Sequence, residues 1–251
     1  MLSLKNVSFS YDQKVILKNI NLEIKSGEII SLLGPSGSGK STLLNLISGL
    51  ATPSSGEIFH NDIQVLAPSH SRVIIFQDHQ LFPWKTAIEN IEFALKAQNK
   101  ITNTAINFLA MVKMQDFAHL YPHQLSGGMK QRVGIARAIA ADPDILLLDE
   151  PFASLDPFIR HEIAGEIMSL VKELKKTVIL VTHNIEEALF VGEKVCLFST
   201  RPATILEEMK IEIKKTKHLI DIKKDPRYFE YESYIYKYFS SLKDLKREES
   251  L

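Results

Sequence analysis

The segment from residue 28 to residue 50 constrains the fold more than any other part of this 251-residue chain. The apolar run EIISLL ends in the glycine-rich loop GPSGSGKS, and STLLNLIS follows with the pattern of a helix. A buried strand that turns into a helix through such a loop directs successive backbone N–H groups at one point. The positive end of the helix dipole adds to them, so the loop is predicted to bind phosphate.

Side chains in this loop have the chemistry that a nucleoside triphosphate requires. Gly34 and Gly39 allow the backbone to curl around phosphate oxygens. Lys40 can reach the β- and γ-phosphates, and the Ser41 hydroxyl can ligate Mg²⁺. The alternative is a glycine turn with a chance lysine, which is expected in only about one in a hundred chains of this length.

The rest of the chain alternates between apolar strands and helical segments. Two alternating runs between residues 2 and 24 predict antiparallel strands with one buried face. Further buried strands are predicted at 72–77, 144–150, 177–183 and 194–199. Buried strands that alternate with helices indicate a parallel α/β core. Predicted helices at 86–98 and 103–114 interrupt this order and indicate a helical insertion.

Polar residues end three of the predicted core strands, at the sheet edge where ligands bind in open α/β folds. Asp149 is predicted to hold Mg²⁺ and Glu150 to polarise the attacking water, although strand-end acids also cap helices. His183 is a candidate contact for the γ-phosphate. Gln77 can ligate Mg²⁺ through its carbonyl and orient water through its amide.

A second glycine turn, LSGGMKQR at 125–132, opens another predicted helix. Ser126 can cap this helix near Gly127, which leaves the N–H groups of the turn available to an anion. The turn lies far along the chain from Lys40, so it predicts a second phosphate contact and not an extension of the first loop.

Composition narrows the function classes. Thirty basic and thirty acidic residues cancel, whereas a generic nucleic-acid binder has a basic excess, so no nucleic-acid partner is expected. The single cysteine, Cys196, is predicted to be a packed core thiol. No apolar run approaches the ~20 residues that span a bilayer, so a membrane role is expected to depend on a partner chain.

The region from about 214 to 251 differs from the rest and contains five of the seven tyrosines. Its lysine-rich first part is predicted to be solvated. An amphipathic helix that packs on the domain or on a partner is predicted from one apolar stripe: Tyr228, Tyr231, Ile235, Tyr238 and Leu242. Stacking of these aromatic rings on nucleic acid is the alternative, but it lacks a basic domain.

The motifs occur together in a recognisable order: the phosphate loop, Gln77, LSGG, ILLLDEP, SLD at 154–156, and His183. As a set they resemble the ATP-binding subunits of ABC transporters over residues 1–213. The resemblance implies an α/β P-loop NTPase (RecA-like) fold, with a parallel-sheet core, an N-terminal antiparallel β-subdomain and an inserted α-helical subdomain at about 78–140. Residues 214–251 would then form a charged, Tyr-rich and helical C-terminal tail.

The resemblance also implies roles for residues that match the family's motifs. Tyr11 would stack on adenine, and the loop residues would bind ATP: Gly34, Pro35, Ser36, Gly37, Ser38, Gly39, Lys40, Ser41 and Thr42. Glu150 would be the general base, assisted by Lys40, Gln77 and His183, while Ser41, Gln77 and Asp149 would hold Mg²⁺. In a head-to-tail homodimer, each ATP would also meet residues of the other chain: Ser126, Gly127, Gly128 and Asp156.

A membrane importer is the function that this family resemblance implies. ATP binding would close the dimer and hydrolysis would reopen it, which would drive a multi-span permease served by a solute-binding protein. The subunit would lie peripherally on the cytoplasmic face of the inner membrane. The alternative is a non-transport ABC ATPase in translation or DNA repair, but those usually carry two ATPase domains or a long coiled coil.

Segments 73–91 and 199–213 are similar to the nitrate, sulfonate and taurine importer branch, so the cargo would be a small solute of that kind or a vitamin precursor. The resemblance includes a Pro-Trp pair after Gln77 and an Arg-Pro dipeptide after a late strand. The chain departs from the branch at Phe82, at Ala203 where glycine is usual, and at Asn184 where aspartate is usual.

Overall fold

The computed structural model describes residues 1–77, 80–153 and 155–248, without the side chains of 157, 158 and 242–248. Ser154 of the SLD segment and the side chain of Leu242 therefore lie outside the described part of the chain. The strands in chain order are β1 (Leu2–Tyr11), β2 (Lys14–Ile24), β3 (Ile29–Leu33), β4 (Ser55–His60), β5 (Ile63–Gln64), β6 (Arg72–Ile75), β7 (Ile145–Asp149), β8 (Thr177–Thr182), β9 (Lys194–Phe198) and β10 (Ile205–Lys210).

The helices are α1 (Lys40–Ser48), α2 (Ala87–Ala97), α3 (Ala105–Met111), α4 (Gly127–Ala140), α5 (Pro157–Glu173), α6 (Ile185–Val191), α7 (Leu219–Lys223) and α8 (Pro226–Glu248). Short 3₁₀ turns at 102–104, 115–117 and 122–124 connect the helices of the insertion. The predicted helix at 103–114 is therefore shorter than expected, because a 3₁₀ turn replaces its beginning and it ends at Met111.

The larger sheet confirms the predicted parallel core. Its strand order is β10-β9-β3-β8-β7-β6, and all neighbours are parallel except β10, which runs antiparallel to β9. The smaller antiparallel sheet, β2-β1-β4-β5, confirms the predicted N-terminal β-subdomain. Because β3, β7, β8 and β6 are parallel, their carboxyl ends meet at one edge of the sheet.

One strand prediction requires correction, and one strand was not predicted. The segment 72–77 is not a buried strand, because β6 lies at the sheet edge, is mostly half-buried, and ends at Ile75, two residues before Gln77. The sequence pattern also fails to predict strand β10, since ILEEMK alternates poorly. Among the described residues this strand pairs only with β9, at the opposite edge of the sheet, where a strand needs fewer buried side chains.

The core strands pack on both faces. Val195 and Leu197 of β9 belong to the apolar cluster beneath α5, α6 and α8, whereas Cys196 and Phe198 belong to the cluster around α1, β1 and β2. This alternation follows from the period of two along a strand. The prediction of a packed core thiol is confirmed, because Cys196 is fully buried and burial raises its pKa to about 12.

A third apolar cluster lies within the helical insertion and joins α2, α3 and α4. Helix α2 begins with a capping box, in which Thr86 accepts from the Glu89 N–H and the Glu89 side chain accepts from the Thr86 N–H. Ile91 and Leu95 of α2 are buried in this cluster.

The tyrosine stripe packs on the domain, as the amphipathic pattern predicts. Tyr228 and Ile235 are fully buried, and Tyr231 and Tyr238 pack against the same cluster. The Tyr231 hydroxyl donates to the Lys210 carbonyl (3.2 Å) and accepts from the Glu212 N–H (3.3 Å), just beyond β10.

The prediction that the lysine-rich segment is solvated is wrong in part. Lys215 is half-buried and donates to the Leu189 carbonyl at the end of α6, and burial lowers its pKa to about 8. Ile222 on α7 is fully buried. The apolar residues of this segment therefore anchor it to the core although lysines dominate its composition.

Candidate functional site

The phosphate loop follows β3 and passes directly into α1, as the sequence predicts. Gly37 and Gly39 have φ of 74° and 109°, a region that favours glycine. Gly34 packs closely on β9, because a Cβ there would lie 2.8 Å from the Cβ of Phe198. Gly37 and Gly39 therefore adopt a backbone conformation that larger residues disfavour, and Gly34 allows a close packing contact that a side chain would prevent.

Lys40 is buried at the first turn of α1 and reaches back over the loop. Its ammonium donates to the carbonyls of Gly34 and Pro35, both at 2.8 Å, and to the Ser38 hydroxyl at 3.3 Å. Burial lowers the pKa of Lys40, and the nearby Glu150 and Asp149 carboxylates oppose that shift. These contacts place the Lys40 ammonium inside the loop.

Ser41 and Asp149 form the next part of the site, between α1 and the end of β7. The Ser41 hydroxyl donates to Asp149 Oδ1 at 2.9 Å, and burial raises the pKa of the Asp149 carboxyl. A hydroxyl and a carboxylate at this distance are hard oxygen ligands of the kind that Mg²⁺ prefers. Gln77 is exposed beyond β6 and has no hydrogen bond to another described residue.

Glu150 and His183 meet at the ends of the neighbouring strands β7 and β8. Glu150 Oε2 lies 3.1 Å from His183 Nδ1. The Glu150 backbone has φ of 46°, which is unfavourable for a residue other than glycine, and its N–H donates to the Val181 carbonyl at 3.0 Å. A strained backbone held by a hydrogen bond at the predicted general base directs its carboxylate towards the histidine.

The structure adds residues behind His183 that sequence reasoning missed. The Thr182 hydroxyl accepts from the Asn184 N–H at 3.0 Å and donates to the buried Glu187 carboxylate. Burial raises the pKa of Glu187. Asn184 caps α6 by accepting from the Glu187 N–H at 3.0 Å, a task that asparagine and aspartate perform equally well.

The LSGG turn begins α4 as predicted. Ser126 is the N-cap, and its hydroxyl accepts from the Met129 N–H at 3.3 Å. Gly127 and Gly128 form the first turn, and a Cβ on Gly128 would lie 3.0 Å from Ile163 of α5. Within the described residues, no hydrogen bond joins this turn to the phosphate loop of the same chain.

Two further predicted residues lie at the end of β1 and just before α5. Tyr11 ends β1 with its ring half-exposed and edge-on to Phe9, at 4.8 Å between centroids. The Asp156 carbonyl accepts from the Arg160 N–H at 3.0 Å and so begins α5. The Arg160 guanidinium donates to the carbonyls of Ala153 (3.3 Å) and Leu155 (3.1 Å) in the loop between β7 and α5. The sequence motifs did not predict these hydrogen bonds.

The fold and this arrangement define a P-loop ATPase, and residues 17–153 match the family model described as ABC transporter. The chain belongs to that family. It is 42% identical over 217 residues to the taurine import ATP-binding protein TauB of Yersinia pestis bv. Antiqua, with 84% of each chain covered. It is 41% identical over 226 residues to the nitrate import ATP-binding protein NrtD of a Synechocystis species, with 86% of this chain and 85% of that protein covered.

A solved structure shares the fold. The dimeric ATP-binding cassette MJ0796, in a post-hydrolysis state bound to ADP and Pi, aligns with a TM-score of 0.75 and 36% identity. The alignment covers 84% of this chain and 99% of that one. The fold and ATPase class predicted from the sequence are therefore confirmed.

Proposed function

We propose that this chain is the ATP-hydrolysing, energy-coupling subunit of a membrane importer for a small solute of the taurine, sulfonate or nitrate kind, or a vitamin precursor. The observation that carries the proposal is the convergence of Lys40, the Ser41–Asp149 pair and the Glu150–His183 pair at one edge of the larger sheet. The names of the relatives support the importer role.

Each residue has a task in the proposed reaction. Backbone N–H groups of the loop at 36–42 bind the phosphates, and Lys40 exchanges its loop carbonyls for β- and γ-phosphate oxygens. Ser41 and Asp149, with Gln77, would hold Mg²⁺, which neutralises developing charge on the phosphates when bound. Glu150 accepts a proton from the attacking water, and His183 orients Glu150 and contacts the γ-phosphate.

The second half of each ATP site would come from another copy of the chain. Ser126, Gly127 and Gly128 form a helix N-terminus suited to the γ-phosphate, and no hydrogen bond in the described chain ties them to the phosphate loop. A head-to-tail homodimer would place them, with Asp156, on the ATP of the partner, while Tyr11 stacks on adenine. The dimeric state of MJ0796 supports this arrangement.

An apolar groove beside Gln77 is the proposed contact with the permease. It has a volume of about 310 Å³ and lies between β6 and the helical insertion. Phe82 packs on Phe93 at 4.7 Å, Arg137 lies over the Phe82 ring at 5.5 Å, and Trp84 is 70% exposed. Closure of the site, sensed at Gln77, would reach the permease through this groove.

A peripheral location on the cytoplasmic face of the inner membrane is part of the proposal, as is a solute-binding protein that delivers cargo to the permease. Among the described residues, no helix is long and apolar enough to cross a bilayer. Contact with the membrane would therefore be made through the permease.

Two experiments test the proposal. Lys40→Ala is expected to lower ATPase activity at least about a hundredfold, because it removes the main cation on the phosphates. Lys210→Ala, a change at a highly exposed lysine on β10, is the control and should keep normal turnover. Normal turnover in Lys40→Ala would refute the site.

The importer role is tested by purification from membranes under mild detergent. Recovery with a multi-span membrane protein is the expected result. Recovery with ribosomes or DNA and without a membrane protein would refute the importer role while leaving the ATPase site intact.

A further inference from the structure

The Arg-Pro dipeptide at 201–202 has no task in the proposed reaction, yet its loop is firmly built. The loop connects β9 to β10 and is closed by Ser199, whose N–H donates to the Thr204 carbonyl (3.1 Å) and whose hydroxyl accepts from the Thr204 N–H (3.0 Å). The backbone on both sides of Arg201 is thus held by hydrogen bonds at the loop's base.

The same loop is tied to β2. The Ala203 N–H donates to the Ile16 carbonyl and the Lys18 N–H donates to the Ala203 carbonyl, both at 2.8 Å, and Ala203 is fully buried. Ile16 in turn abuts the phosphate loop, because a Cβ on Gly39 would lie 2.8 Å from Ile16 Cγ2. The loop and the phosphate loop therefore share one rigid support.

This support places the Arg201 guanidinium at the phosphate loop. A Cβ on Gly37, at the exposed turn of that loop, would lie 3.9 Å from Arg201 Nη2. Arg201 is exposed and makes no ion pair or hydrogen bond with another residue in the described ranges. The Arg201 guanidinium therefore offers five N–H donors beside the phosphate loop, in which the Lys40 ammonium already points inward.

We propose that Arg201 binds a phosphate oxygen of the nucleotide that is held in the same chain's phosphate loop. The inference rests on the proposed ATP site. It adds a second cation to that site, on the outer side of the phosphate loop at Gly37. A guanidinium suits this position because its planar fork pairs with two phosphate oxygens at once, whereas an ammonium acts as a point charge.

The test compares Arg201→Ala, Arg201→Lys and the control Arg227→Ala. Arg227 is an exposed arginine on α8 that pairs locally with Asp225. Calorimetric titration of the full-length protein with ADP and with a non-hydrolysable ATP analogue gives Kd for each variant. Arg201→Ala is expected to weaken binding about tenfold, which is about 1.4 kcal/mol. Arg201→Lys should lose less, and Arg227→Ala should bind as the unchanged protein does.

Salt supplies a second readout. The difference between Arg201→Ala and the unchanged protein should shrink between about 0.1 M and 1 M NaCl, because the Debye length falls from about 10 Å to 3 Å. A loss seen with both nucleotides, or with the triphosphate alone, supports the proposal and locates the contact on the chain of phosphates. Melting curves without nucleotide should superimpose, which excludes unfolding as the cause.

Equal Kd values for Arg201→Ala and the unchanged protein with both nucleotides would overturn the inference. Equal Kd values with a loss of ATP-dependent dimerisation would also overturn it and would assign Arg201 to the contact between protomers. Failure of the unchanged protein to bind either nucleotide would instead refute the proposed function.

Discussion

The Glu150–His183 pair allows the catalytic assignment to be tested by a double-mutant cycle. The perturbations are Glu150→Gln, His183→Ala and both together. Glutamine keeps the size of the side chain and tolerates the same backbone, so the loop after β7 should be retained while the proton acceptor is lost. Neither change touches the hydrogen bonds of Lys40, so nucleotide affinity should remain.

The expected magnitude follows from the contact between the two side chains. Loss of a general base lowers turnover about 10²- to 10⁴-fold, which corresponds to roughly 3–5 kcal/mol in activation free energy. Glu150 Oε2 and His183 Nδ1 are 3.1 Å apart, so the two residues are expected to act as one unit. The double variant should then be about as slow as Glu150→Gln alone, and the two single losses should not multiply.

The assay is steady-state phosphate release at saturating ATP, with ATP retention and sedimentation measured on the same samples. Glu150→Gln should retain ATP and accumulate a dimer, because ATP binding closes the pair and hydrolysis no longer reopens it. Glu212→Gln is the matched control, since Glu212 is an exposed glutamate beyond β10 that pairs with Lys210.

Two results would refute the catalytic assignment, and a third would count against the shared site. Normal turnover in Glu150→Gln would remove Glu150 from the chemistry. Single losses that multiply in the double variant would show that the 3.1 Å contact has no role in the reaction. A strictly monomeric Glu150→Gln protein in saturating ATP would count against the shared site.

Two further predictions concern stability. Burial raises the pKa of Glu187 above its ordinary 4.5 in the folded protein. The favourable contribution of the protonated side chain to the free energy of unfolding is therefore fully present below pH 4.5, and it is lost as the pH rises through the raised pKa. Urea unfolding above pH 4.5 should therefore show the stability of the unchanged protein falling relative to that of Glu187→Gln as the pH rises through the raised pKa. The total change is about 1.4 kcal/mol for each pH unit that separates the folded from the unfolded pKa, and a constant difference would contradict the argument. Gly165→Ala in α5 should destabilise the fold by about 1–3 kcal/mol, because its Cβ would lie 1.9 Å from the Lys217 carbonyl. Helix propensity alone favours alanine by roughly 0.5–1 kcal/mol, so a raised melting temperature would refute the packing argument.

The central part of the fold is predictable from the sequence because its strands are buried on both faces. All residues of β3 and β8 are buried, and such strands are nearly continuous apolar runs. The edge strands have no such requirement. Strand β10 contains two consecutive glutamates, so its pattern does not indicate a strand, and β6 is mostly half-buried, so its pattern does not show where it ends.

The candidate site divides in the same way. The candidate residues around Lys40 and at the end of β7 can be predicted from the sequence, because the residues of each group are neighbours in the chain. Glu187 and Arg160 are not readable as motifs, since their contacts are with Thr182 and with the carbonyls of Ala153 and Leu155, and only the packing of α5 and α6 produces them. Arg201 lies far from Gly37 along the chain, and only the shared support of β2 brings them together.

The hydroxyl of Tyr231 has a consequence for solubility. An edge strand presents unpaired N–H and C=O groups on which the strand of another molecule can assemble. By binding the Lys210 carbonyl and the Glu212 N–H, Tyr231 of α8 occupies two of these groups where β10 ends. Removal of α8 by a protease or by truncation is therefore expected to expose these two groups to intermolecular strand addition.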